Sequence, residues 1–205
     1  RRRRTASEST KANVKLLLAY IGFVLASALL FSLLPLVALM FFIVFSGYHF
    51  GEQHWVKRMG RRSWLQKVLY TSYGLTILLL LFAAHGKEVA GVILEITGFD
   101  VPQAWFTYGC VGFLGLFLVA CFFNFYWNQL TRYLLREVFL LFVFFIVFNT
   151  ASLIWAFAIY FVVWHSIPSL ADQIRLLYGS VNWQNGSKYM RTSAVYWLGA
   201  VSTLA

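Results

Sequence analysis

Runs of about twenty apolar residues recur along this chain, separated by short polar or charged connections. A run of that length crosses the hydrocarbon core of a bilayer as a helix, and only helices and closed barrels satisfy their backbone there. The sequence therefore predicts an all-α, polytopic transmembrane helical bundle. Six to seven spans are expected, forming one membrane-embedded domain over residues 1–205. Composition agrees: 60% of residues are hydrophobic and only 12% are charged, about half the charge of a soluble domain. The net charge of +10 does not indicate nucleic acid, because Lys and Arg sit in short clusters between the spans, as cytoplasmic loops carry them.

In chain order, residues 1–11 read as a basic, poorly ordered cytoplasmic arm. Span one covers Asn13 to Leu33. Span two covers Pro35 to Trp55, with Pro35 in its first turn. Span three covers Ser63 to Ala84, after a loop carrying Lys57, Arg58, Arg61, Arg62 and Lys67. Residues 85–103 are acidic, and Val89, Val92, Ile93 and Ile96 recur at helical spacing, so a short interfacial helix is expected there. Span four covers Ala104 to Leu130, and Arg132 and Arg136 follow it. Span five, Val138 to Thr150, is short. Span six covers Ser152 to Tyr178, with Pro168 kinking or breaking it. A polar loop, Asn182 to Lys188, precedes a last, incomplete span that starts near Arg191. Both ends are abrupt, on four arginines and on an apolar run stopping at Ala205, so the natural protein is expected to extend further. Cys110 and Cys121 share one span and read as packing residues.

Loop charge gives an orientation. The basic clusters (the N-terminal arm, 57–67, 132–136 and 175–191) mark the cytoplasmic face, and the 85–103 segment lies opposite. This places His49, His54 and His165 at similar depth on one side and His85 on the other, where it is expected as an exposed helix-end residue. Histidines and carboxylates at the ends of apolar helices are seldom kept without a use. Neutral imidazole suits iron, copper, nickel or zinc. His49 and His54 are five apart, so they share no face of a regular helix unless Gly51 breaks it. Glu52, three from His49, is a ligand or an acceptor that orients an imidazole. Asn124 and Asn149 read as interhelical hydrogen bonds. Phe41, Phe42, Phe45, Phe50, Phe122, Phe123, Phe125, Trp155, Phe157 and Phe161 either line a tunnel for a long apolar substrate or, for most of them, face lipid and neighbouring helices.

Two motifs carry a resemblance. Tyr48-His-Phe-Gly-Glu-Gln-His54 and, a hundred residues on, Phe161-Val-Val-Trp-His-Ser166 resemble the Brp/Blh family of bacterial membrane β-carotene 15,15′-dioxygenases; His85-Gly-Lys-Glu-Val89 is similar to an inter-span segment of that family. The resemblance covers about Ala12 to Tyr178. It implies a multi-helix membrane bundle in the bacterial inner membrane. That bundle cleaves β-carotene or a related carotenoid with dioxygen, giving retinal that can pass to a microbial rhodopsin. Fe(II) is the implied cofactor, with His49 and His165 as ligands; for the family's remaining histidine, either His54 substitutes as a further ligand, one comes from an absent segment, or the chain is a divergent member with altered activity. Glu52 and Ser169 would stand behind the ligands, and Tyr48, Phe50, Tyr160, Phe161 and Trp164 would line the substrate. Two departures are visible. The family's earlier His-Gly span precedes the start of this chain, and Ser169 stands where the family often has a second histidine. The alternative is a non-catalytic carotenoid or retinal carrier, or a rhodopsin-assembly protein. Lipid desaturases and hydroxylases need more histidines than the four present.

Overall fold

The computed structural model describes residues 6–59, 63–124 and 127–202. Arg1 to Arg4, Arg61, Arg62, Phe125 and Ala205 lie outside the described residues. Two compact units divide the chain at residues 150 and 151. The first holds α1 (Ala6–Leu33), α2 (Pro35–Trp55), α3 (Trp64–Ala84), α4 (Gly86–Thr97), α5 (Ala104–Asn124) and α6 (Trp127–Thr150). In the second, α7 (Leu153–Tyr160), a π-helical segment (Phe161–Ser166) and α8 (Ile167–Tyr178) run on without a break, and α9 (Trp183–Ser202) follows. No strand occurs among the described residues.

Among the described residues, five helical segments are long and apolar enough to cross a membrane: Val14–Leu33, Pro35–Trp55, Trp64–Ala84, Ala104–Asn124 and Leu153–Tyr178. Helix α6 is not among them. Its apolar part, from Val138 onward, reaches only about 20 Å at 1.5 Å per residue, short of the ~30 Å hydrocarbon core. The helix itself begins earlier than expected, at Trp127, because polar residues such as Asn128, Gln129 and Arg132 are compatible with helix outside the lipid. For the same reason α1 starts at Ala6 rather than near Asn13, and α9 at Trp183, inside the segment expected as a loop.

The core of the first unit is α3, which packs between α2 and α5 and also touches α6. Ser63 starts α3 with a reciprocal cap: its hydroxyl accepts from the Gln66 amide, and the Gln66 side chain accepts from the Ser63 amide. The α2–α3 seam is a backbone contact made possible by glycine. A Cβ on Gly51 would overlap the Tyr70 carbonyl, and one on Gly74 would overlap the carbonyl of Gly47. Lipid offers no hydrophobic drive between helices, so such close approach and local polar bonds hold them. Ser72 and Thr76 are buried beside this seam and donate to Leu69 O and Ser72 O. Asn124 donates to Ala120 O of its own helix and, at 3.5 Å, to Leu65 O of α3. Asn149, expected to bond across helices, is exposed and donates to Phe145 O one turn back, which satisfies its amide locally.

Helix α4 buries Val89 and Ile93 and leaves Val92 and Ile96 exposed. It ends at Gly98 in the left-handed region, φ 70°. His85 caps the junction of α3 and α4 and is not exposed as expected. Its side chain is 10% accessible, with Nδ1 3.7 Å from Glu88 Oε1. Cys110 and Cys121 are free and buried in α5, as packing residues should be.

Candidate functional site

Helix α2 carries most of the candidate residues, so its azimuths decide what meets what. It is helical from Pro35 through Trp55, and Gly51 does not break it. That glycine is required for the approach to Tyr70, not for a kink. At about 100° per residue, Gly47, Gly51 and Trp55 form one face, all three buried. His49 lies about 160° from Gly51, on the opposite face, and is exposed. His54 lies about 60° from Gly51, beside the seam. The two imidazoles are therefore about 140° apart around one helix.

His54 enters a polar cluster that ties α2 to α3 and α6. Its Nε2 is 2.9 Å from Glu137 Oε2. The Tyr73 hydroxyl donates to the same oxygen at 2.6 Å, and Arg58 Nη1 donates to Oε1 at 2.7 Å. Glu137 is fully buried. A buried carboxylate is tolerated only when paired and hydrogen-bonded, and here three donors meet two oxygens. A carboxylate beside a guanidinium accepts only, so the short contact assigns a proton to His54 Nε2. The 3.3 Å approach of Arg58 Nη1 to that nitrogen is then two donors converging on one acceptor, not a bond between them. Packing fixes the ring as well. His54 stacks on Tyr73 with centroids 4.8 Å apart and meets Trp55 edge-on at 5.7 Å. Trp55, Tyr73 and Phe117, from α2, α3 and α5, contact one another in turn, and Arg58 covers Trp55 at 5.0 Å.

Glu52 accepts from Tyr48 Oη at 3.0 Å, one turn away, and so couples to a tyrosine. Phe50 lies 6.2 Å from the His49 ring.

In the second unit His165 belongs to the π-helical segment. Pro168 explains the wider turn: it has no N–H for the Trp164 carbonyl and its ring would crowd it, and widening the preceding turn relieves both. The segment is neither broken nor sharply ended there. Phe157 and Phe161 stack at 5.6 Å, and Phe161 meets His165 at 4.9 Å, giving a ladder along one side that ends on the imidazole. Tyr160 is buried; Trp164 and Ser169 are half-buried.

The aromatics considered for a tunnel are largely outward. Phe41, Phe42, Phe45, Phe122, Phe123 and Trp155 are each more than half exposed. Glu137 and Tyr73 escaped sequence reasoning. The available signal was that Glu137 is the one acidic residue between Asp100 and Asp172 and opens an apolar run.

Chemically, His49 and His165 are imidazoles in apolar, aromatic surroundings, a donor type that suits iron. His54 fits less well, because the nitrogen it presents to the cluster is protonated and faces a guanidinium. Among the described residues no three His, Cys, Asp or Glu side chains form a metal-binding group.

The described residues are helical, and five of their helical segments are long and apolar enough to cross a membrane, as those of a polytopic membrane protein are. The profile of one family, Beta-carotene 15,15'-dioxygenase, matches residues 1–205, and the chain belongs to that family. Comparison with curated proteins and with solved structures gives no match.

Proposed function

We propose that this protein cleaves β-carotene, or a related carotenoid, at its central double bond with dioxygen, giving two aldehyde products of the retinal type. The observation that carries the reading is the family match over the whole chain. The placement of His49 on the face of α2 that the seam leaves open supports it. His49 and His165 would hold Fe(II), which when bound supplies the activation of dioxygen.

The chain's own residues do the rest. The Phe157–Phe161 ladder offers a polyene a stacking surface that ends at His165, and Phe50 does the same beside His49. Tyr48, Tyr160 and Trp164 are the further lining residues. Apolar contact is worth about 25 cal/mol per Å² against water and less against lipid. Orientation of the central bond, rather than bulk affinity, is therefore the task of these rings. The Tyr48–Glu52 bond holds the side of α2 next to His49. By loop charge, the site lies toward the cytoplasmic leaflet of a bacterial inner membrane. Substrate and product share the lipid phase, from which a rhodopsin would take retinal.

Expression in carotene-producing bacteria tests this. Loss of orange colour with accumulation of retinal is the expected result. Retained colour with pigment co-purifying on the protein would favour the carrier reading, which Ser169 in place of an imidazole keeps in view.

A further inference from the structure

The cluster around Glu137 gives His54 a task different from that of His49. We infer that His54 is a positioning residue and not a metal ligand: with Glu137, Arg58 and Tyr73 it clasps the last turn of α2 to α3 and α6. Four observations lead there. The unbroken course of α2 sets the two imidazoles about 140° apart, so one ion cannot sit on the axis of both rings. His54 Nε2 is used on Glu137 at 2.9 Å. The Arg58 guanidinium lies 3.3 Å from that nitrogen, where a second cation would be repelled. Stacking on Tyr73 and the edge contact with Trp55 hold the ring plane, so turning Nδ1 toward another partner would undo both.

The clasp is closed in charge, with one carboxylate and one guanidinium, and its three donors come from α2, the turn after it, and α3. Helix α6 supplies the only acceptor. Removing any member therefore loosens the last turn of α2, while His49, a turn and a half upstream, stays in the part of the helix held by the Gly47 and Gly51 seam. The metal part of this inference rests on the reading under Proposed function; the clasp itself does not.

The test uses the full chain purified in detergent and loaded with Fe(II). Glu137→Gln, which leaves Arg58 without its carboxylate, should lower the unfolding temperature by about 10 °C, and His54→Gln, which removes one hydrogen bond to that carboxylate, by about 5 °C. The double variant should fall little further than Glu137→Gln, because one interaction is lost only once. Fe(II) per folded protein, and the electron paramagnetic resonance signal of its nitric oxide adduct, should match the parent in His54→Gln and be lost in His49→Ala. If the Glu137 variant does not fold, Tyr73→Phe, which removes one donor, takes its place in the cycle. A tenfold fall in Fe(II) affinity in His54→Gln, or melting losses that simply add, would overturn the inference. Should the parent bind no Fe(II), the iron reading fails, and the melting cycle still decides the clasp.

Discussion

The two faces of α2 are built for opposite ends. Toward α3 the helix shows Gly47, Gly51 and Trp55, all buried, with His54 beside them in a saturated polar cluster. Away from α3 it shows exposed Phe41, Phe45 and His49. One face spends glycines, aromatic contacts and ion pairs on fixing the helix. The other carries an exposed histidine on the side turned from the glycine seam. Two histidines of one motif thus have different surroundings, and five residues of helix are enough to separate them.

Four substitutions, with Gly22→Val as a control for the first, probe that contrast in falling order of effect on stability. Gly51→Val should be the most damaging, since its side chain would overlap the Tyr70 carbonyl and backbone cannot yield cheaply. A loss of about 3 kcal/mol or more is expected, seen as the absence of a monodisperse peak after solubilisation. Gly22→Val, on a glycine with open space around it, is the control. Tyr73→Phe leaves Glu137 with two donors and should cost about 1–2 kcal/mol, measured as a lower melting temperature. His49→Ala should change stability by no more than about 0.5 kcal/mol while abolishing retinal formation, which pigment extraction reads directly. Leu17→Ala on α1, where Leu17 is 57% exposed, should alter neither melting nor retinal yield.

Helix positions were legible where hydropathy and punctuation agree. Pro35 and Trp55 bound α2 as expected, and Ser63 with Gln66 announces the start of α3. Hydropathy says where lipid is and not where a helix stops, so α6 and α9 begin well before their apolar parts. Nor does it say which helices pack. Helix α1 buries none of its described side chains, whereas the less apolar α3 buries ten residues, Ser72, Gly74 and Thr76 among them. In a membrane the packing signal is small and polar: Gly47-x-x-x-Gly51 facing Gly74 was present in the sequence as a spacing. The clasp was harder to see. Its members lie up to 83 residues apart, and pairing Glu137 with His54 requires knowing that α6 reaches α3. The family, by contrast, was readable from two short motifs, because each is local in sequence and needs no knowledge of which helices pack.

Retinal produced per folded molecule in cells making β-carotene, compared between His49→Ala and Tyr73→Phe, tests the division of α2 most directly. The account predicts folded protein near the parental level but no retinal for His49→Ala. For Tyr73→Phe it predicts parental retinal per folded molecule, from a less stable protein. Retinal at the parental rate from His49→Ala would contradict it.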